Sequence, residues 1–138
     1  MIGYDGFKRI TGTKIHVAEQ NGLPISIVIS SANEHDSTRL IDVVENISDH
    51  LDDDAIEQIV SVYADKGYDA EYNHKYVNKQ MRSKDYIKLK NQKVPIHRTE
   101  GQHRKNAKRK LRKTKGRPRK NHRNKIETIM FVLKKVCG

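Results

Sequence analysis

The 138-residue sequence predicts an α/β domain in which a mixed β-sheet is flanked by helices. Short segments with strand-like apolar patterns alternate along the chain with segments whose apolar residues recur at helical spacing. The length suits one domain with a single core, and hydrophobic residues make up 35% of the chain. A multidomain enzyme is therefore excluded, and we expect a core of modest size.

The first two strands are predicted to form a hairpin. Residues 14–18 alternate, with Ile15 and Val17 on one side, whereas residues 24–30 form a denser apolar run. Asn21-Gly22 between them is the dipeptide most typical of a tight hairpin turn. A helix is predicted next, because Asp36 can open it and its apolar residues share one face: Leu40, Val43, Val44 and Ile47.

Residues 59–64 (IVSVYA) are predicted to form a short buried strand that ends at Asp65. A polar helix over residues 69–81 and another strand over 86–89 follow. Ligands of α/β proteins gather where strands end at their carboxyl edge, so Asp65 is a candidate catalytic residue. The alternative is that Asp65 only forms a turn with Lys66 and Gly67.

The charge of the chain divides sharply after Met81. Residues 1–81 hold 7 Lys and Arg against 14 Asp and Glu, whereas residues 82–138 hold 21 against 3. So basic a segment is typical of proteins that bind nucleic acid, although a disordered, self-repelling arm has the same composition. Residues 90–121 contain almost no apolar side chain and are predicted to form a long basic loop.

Residues 122–138 are predicted to form a helix with an apolar stripe made by Ile126, Ile129, Met130, Leu133 and Val136. Arg123, Glu127 and Lys134 would share another face of this helix. A carboxylate between two cations suits a site that holds a divalent metal and phosphates, and oxygen ligands favour Mg²⁺ or Mn²⁺. An Arg123–Glu127 ion pair within the helix is the simpler alternative.

The seven histidines show no spacing typical of a metal site. We therefore expect His16, His35, His50 and His74 to lie at the surface or in turns.

Three blocks of the sequence resemble the insertion-sequence DDE transposases. They are Gly-Thr-Lys-Ile-His at 12–16 with Asn-Gly-Leu-Pro at 21–24, Ser-Ala-Asn-Glu-His-Asp-Ser at 31–37, and Tyr-Ala-Asp-Lys-Gly-Tyr-Asp at 63–69. The family's C-terminal signature is Tyr, two residues, Arg, three residues, Glu, six residues and Lys. Arg123, Glu127 and Lys134 match it, whereas Lys120 stands in place of the Tyr.

The resemblance implies a ribonuclease-H-like sheet that gathers two Asp and one Glu around divalent metal ions. Asp65 would be the second acid and Glu127 the third, with Arg123 and Lys134 near DNA phosphates. The first acid belongs to a block upstream of residues 12–16 that has no match here, so we expect a truncated copy whose fold is incomplete at the N-terminus. The expected organisation is a partial core over 1–89, a basic loop over 90–121 and a helix with the Glu over 122–138.

The function implied by the resemblance is DNA transposition, by metal-dependent strand cleavage and transfer at insertion-sequence ends, in a fragment that truncation could inactivate. The alternative is a non-catalytic nucleic-acid-binding remnant that works through residues 82–138. There, Arg117 and Arg119 flank Pro118 in a Gly-Arg-Pro segment like those that lie in narrow minor grooves. We expect DNA as partner, a possible homodimer, no membrane association and a cytoplasmic location.

Overall fold

A computed structural model of the chain describes residues 3–5, 10–50, 56–113 and 128–136. Within these ranges the strands are β1 (Gly3–Asp5), β2 (Ile10–Gln20), β3 (Leu23–Ser31), β4 (Ser61–Ala64), β5 (Lys84–Ile87) and β6 (Thr128–Val136). The helices are α1 (Leu40–His50), α2 (Glu71–Lys75, continued as a π turn over Tyr76–Gln80) and α3 (Gln102–Lys113). Strands and helices alternate over much of the chain, which confirms the predicted α/β class.

The predicted hairpin is confirmed. β2 and β3 pair antiparallel, and Gln20 faces Leu23 across a two-residue turn. Asn21 and Gly22 both have positive φ, 54° and 81°, which is the backbone that a type I′ turn requires. The turn chemistry thus sets the register of the longest antiparallel pair in the sheet.

The sheet is mixed, with the order β1-β2-β6-β4-β5 and β3 also paired with β2. β6 lies in the middle, antiparallel to β2 on one side and parallel to β4 on the other. β4 is also parallel to β5. In the described part of the chain, β6 is therefore the link between the antiparallel hairpin and the parallel strand pair.

The predicted C-terminal helix is wrong over Thr128–Val136, which form β6. The apolar stripe at helical spacing is part of an unbroken apolar run over residues 129–133. A strand with neighbours on both edges has such a run, and periodicity cannot distinguish it from a buried helix. Lys134 consequently faces Ile15 across the β2–β6 pair and does not lie on a helix face.

The helix predicted after Asp36 is confirmed as a 3₁₀ turn (Asp36–Arg39) that continues into α1. The Ser26 hydroxyl donates a 2.7 Å hydrogen bond to the Val43 carbonyl and ties the hairpin to this helix. No helix in the described part of the chain is long and apolar enough to span a membrane. The core between helix and sheet consists of buried residues from β2, α1, β4, α2 and β5, among them Ala18, Leu40, Val43, Val44, Ile47, Val62, Val77 and Ile87.

The long basic loop predicted over residues 90–121 is wrong in its first part. A 3₁₀ turn (Ile96–Arg98) and α3 lie within it. α3 has only two aliphatic side chains, Ala107 and Leu111, so its sequence carries almost no apolar periodicity. The helix is held in place by charged contacts, which a hydrophobic pattern cannot reveal.

Candidate functional site

Asp65 lies directly after β4, at the carboxyl end of the parallel strands, where the sequence places it. Its backbone is extended, and its carbonyl accepts a 3.0 Å hydrogen bond from the Tyr68 amide, which closes the 3₁₀ turn Lys66–Tyr68. The Asp65 side chain is exposed and does not cap this turn. Among the described residues it forms no salt bridge, so its carboxylate oxygens face solvent.

The turn after Asp65 packs closely against Asp36. A Cβ atom at Gly67 would lie 2.7 Å from Asp36 Oδ2, so this position has no room for a larger residue. The other Asp36 oxygen, Oδ1, forms an ion pair with Lys14 Nζ at 3.0 Å. Lys14 Nζ also donates a 2.6 Å hydrogen bond to the Glu34 carbonyl. The Lys14 and Asp36 side chains are only 6% and 15% exposed, so this ion pair is a mostly buried brace.

Tyr68 connects the same turn to the hairpin. Its hydroxyl lies 2.9 Å from His16 Nδ1, and His16 Nε2 lies 2.9 Å from the Ser30 hydroxyl. Burial lowers the pKa of His16 and, together with the nearby Asp36 and Asp65 charges, raises the pKa of Tyr68. Both side chains are therefore neutral at physiological pH. His16 is fully buried, so the prediction of a surface or turn position for it is wrong.

The three sequence blocks that carry the resemblance thus meet in space around Asp65. Lys14 and His16 come from the first block, Asp36 from the second, and Gly67 and Tyr68 from the third. Residues far apart in the chain brace one turn, and the acid on that turn stays exposed.

A second group of charged side chains lies buried between α2, β5 and α3. His74 Nε2 is 2.8 Å from Asp69 Oδ1, and His74 Nδ1 is in short contact with Asp85 Oδ2. Arg104 holds both Asp69 oxygens, at 3.0 and 2.9 Å, and the Lys90 amide donates to Asp69 at 2.8 Å. The side chains of His74, Asp69 and Asp85 are at most 1% exposed.

The positive charges of His74 and Arg104 balance the negative charges of Asp69 and Asp85 in this buried group. Burial opposes the charged forms, but the hydrogen bonds and charges of Asp69 and Asp85 raise the pKa of His74 to about 9. Likewise, the hydrogen bonds from His74, Arg104 and the Lys90 amide outweigh burial and lower the pKa of Asp69 to about 2. His74 is thus a buried imidazolium, and the Asp69 oxygens are saturated by protein donors.

Sequence reasoning missed this group. His74 was expected at the surface or in a turn, and that prediction is wrong, because the residue is completely buried. Its partners Asp69 and Asp85 come from the turn before α2 and from β5, and no sequence spacing typical of a charged cluster joins them. The one sequence feature that could have indicated this group is Asp69, the last residue of the third block. It lies four residues beyond Asp65, so the end of β4 does not account for its presence in the block.

Of the remaining predicted site residues, only Lys134 lies within the described part of the chain, in β6. Glu127, Arg123, Arg117 and Arg119 lie outside the described residues. Thr128 pairs with Ser61 at the start of β4, whereas Asp65 follows the end of that strand. Within the described ranges, no three or more His, Cys, Asp or Glu side chains are grouped so that they could hold a metal ion.

Comparison with known protein families gives a match over nearly the whole chain. The family model described as "Transposase DDE domain" matches residues 2–138. No curated protein and no solved structure matches the chain significantly. The match includes the three blocks around Asp65 and the residues of the C-terminal signature.

Proposed function

Because the chain belongs to the family of transposase DDE domains, we propose that it acts in metal-dependent cleavage and transfer of DNA strands at insertion-sequence ends. One observation carries the proposal: Asp65, an exposed carboxylate at the carboxyl end of the parallel strands, stands on a turn braced by residues of all three sequence blocks. A catalytic carboxylate needs such a fixed backbone together with free oxygens.

In this proposal Asp65 would hold a Mg²⁺ or Mn²⁺ ion together with Glu127, which requires the chain before Thr128 to bring residue 127 from the start of β4 to its carboxyl end. Carboxylate oxygen is the donor that these hard cations prefer, and Asp65 has the right chemistry although it is a single ligand. A bound ion of this kind lowers the pKa of an attacking water or hydroxyl and neutralises charge on the phosphate. Arg123 and Lys134 would contact DNA phosphates, and Arg117 and Arg119 would lie in the minor groove.

The residues around Asp65 act by positioning it. The Lys14–Asp36 ion pair occupies one oxygen of Asp36, and the close approach of Gly67 crowds the other. Asp36 is therefore a brace and a poor competitor for a metal ion. The neutral His16–Tyr68 pair fixes the far end of the turn without adding charge beside Asp65.

The test is a strand-cleavage assay on supercoiled DNA with Mn²⁺ or Mg²⁺, with EDTA as blank. We expect metal-dependent nicking by the unmodified chain and none by Asp65→Asn or Glu127→Gln. Asp49→Asn is the matched control, because Asp49 is an exposed acid on α1. Nicking that survives Asp65→Asn would refute the catalytic role of Asp65.

The alternative, a non-catalytic nucleic-acid-binding protein, is supported by α3, which carries seven Lys and Arg residues and no acid. Binding that needs no metal, combined with no nicking by the unmodified chain under any of these conditions, would favour this alternative.

A further inference from the structure

The outer face of α3 and the helical turn at Tyr76–Gln80 enclose a groove lined by Asn78, Lys79, His103, Asn106, Arg109, Lys110 and Lys113. Four of these residues are Lys or Arg, two carry amides and none is acidic. Lys79, Arg109, Lys110 and Lys113 are all exposed. Among the described residues, none of these four cations forms a salt bridge.

The inner face of α3 is anchored, which fixes the direction of the outer face. Glu71 accepts hydrogen bonds from the His103 and Arg104 amides, at 2.7 and 3.0 Å, and thereby caps the helix. Arg104 binds Asp69 through two nitrogens. Lys108, only 3% exposed, donates at 3.1 Å to both the Asn91 carbonyl and the Thr99 hydroxyl.

Two cations of α3, Arg104 and Lys108, bind oxygens of other elements. Three others, Arg109, Lys110 and Lys113, line the groove that Lys79 completes, and Arg109 also donates to the Asn106 side chain of the same helix at 2.9 Å. Like charges held this close repel one another unless a polyanion neutralises them. The helix is held rigidly, so binding would not require ordering of its backbone.

We propose that this groove binds the sugar-phosphate backbone of duplex DNA. Lys, Arg and amide side chains are those that contact phosphate oxygens. Its lining has no Phe, Tyr or Trp side chain on which an unpaired base could stack, which favours a duplex over a single strand. The inference rests on the proposed function for the identity of the polyanion, and it adds a contact surface separate from Asp65.

The experiment measures binding of the full chain to a fluorescent DNA duplex in EDTA over a series of salt concentrations. The test variant is Lys79→Gln, Arg109→Gln, Lys110→Gln and Lys113→Gln combined. The control variant has the same charge change at exposed cations outside the groove: Lys84→Gln, Lys90→Gln, Lys93→Gln and Arg98→Gln.

Each lost phosphate contact should make the dependence of log K on log [salt] less steep by about 0.9, so we expect the groove variant, which lacks four cations, to lose up to about 3.6 from this slope. Its affinity at low salt should fall at least about tenfold, whereas the control should change much less. Equal losses in both variants would overturn the inference, since they would show that only net charge matters. Tighter binding to an RNA duplex of the same sequence would overturn the assignment to DNA.

Two additions keep the test decisive. If the fourfold variant fails to fold by circular dichroism, Lys113→Gln and Lys84→Gln replace the two sets, and a slope change confined to Lys113→Gln supports the groove. The nicking assay is run in parallel. Groove-dependent binding without nicking refutes only the proposed cleavage, and nicking without groove-dependent binding refutes only the groove.

Discussion

Asp65 and Asp69 are four residues apart, yet their surroundings are opposite. Asp65 is exposed and, among the described residues, has no cation bound to its side chain. Asp69 is buried and receives hydrogen bonds from His74, Arg104 and a backbone amide. The first acid has oxygens available for a ligand, while those of the second are used by the protein.

The difference shows why proximity in the sequence does not indicate a shared role. A buried carboxylate is stable only when donors satisfy it, and those donors then exclude a metal ion. A carboxylate on a braced, open turn contributes little to folding but can bind substrate or metal. The buried group should therefore control stability, and the Asp65 turn should control activity.

The largest effect is expected from Val132→Pro, which would break the sheet that supports both regions. Val132 faces Val17 in the middle of β6, and proline removes a strand amide there and fixes φ. We expect a loss of more than about 5 kcal/mol, because separating β6 from β2 and β4 adds to the local cost of proline, and such a loss would abolish the cooperative unfolding transition of a domain of ordinary stability in urea. Unchanged unfolding would show that residues 128–136 do not form a central strand.

His74→Ala should destabilise the chain by about 3 to 5 kcal/mol, because it leaves Asp69 and Asp85 buried with less compensating charge. His97, which is exposed, supplies the matched control: His97→Ala should stay within about 0.5 kcal/mol. Urea unfolding monitored by circular dichroism compares the two. Similar values for both would contradict the structural role of the buried group.

The pH dependence of stability should come from the same group. His74 has its pKa raised from 6.5 to about 9, so its contribution is complete below pH 6.5 and is lost as the pH rises through 9. Asp69 has its pKa lowered from 3.8 to about 2, so its contribution is complete above pH 3.8 and is lost as the pH falls through 2.

Thermal unfolding between pH 2 and 10 measures both the loss of stability at acid pH and the loss at alkaline pH, called here the acid limb and the alkaline limb. We expect the highest midpoint temperature between about pH 4 and 6.5, and His74→Ala should flatten the alkaline limb. An unchanged alkaline limb in that variant would assign the pH dependence to other residues.

Gly67→Ala tests the contact between the Asp65 turn and Asp36. The added methyl group would lie 2.7 Å from Asp36 Oδ2, and relieving this overlap should cost about 1 to 3 kcal/mol. Nicking should fall as well, because the turn that carries Asp65 must move. Lys66→Ala, at the exposed neighbouring position, should leave stability unchanged, and equal stability of both variants would contradict the close contact.

The smallest effect on stability is expected from Asp65→Asn. Since the side chain is exposed and does not cap the turn, the free energy of unfolding should change by less than about 0.5 kcal/mol. The same substitution should abolish nicking, so stability and activity separate at this residue. A large loss of stability would mean that Asp65 is a structural acid like Asp69.

The sequence predicted well where local chemistry determines structure. Asn21-Gly22 specified the hairpin turn, and the apolar face of α1 specified the following helix. The cap predicted at Asp36 is wrong, because His35 occupies the N-cap and the Asp36 side chain binds Lys14. The end of β4 at Asp65 followed from a short apolar run that stops at an acid. These signals lie within a few residues of one another, so they can be read without knowing the fold.

Prediction failed where contacts between residues far apart in the sequence determine the secondary structure or the partners of a side chain. Residues 128–136 have a pattern compatible with helix or strand, and β6 forms because β2 and β4 both offer edges to it. α3 has almost no apolar periodicity, and Glu71, Asp69 and the oxygens around Lys108 hold it in place. The partners of His74 are likewise brought together only by the folded chain.

The central position of β6 also bears on how the molecule is made. During translation the β2–β3 hairpin leaves the ribosome early, and β4 and β5 follow, but the strand that joins them is synthesised last. Until residues 128–136 emerge, the edges of β2 and β4 that pair with β6 are open, and the nascent chain must avoid pairing them with strands of other polypeptides. Closure of the sheet therefore waits for residues 128–136, and dependence on chaperones should be greatest just before they emerge.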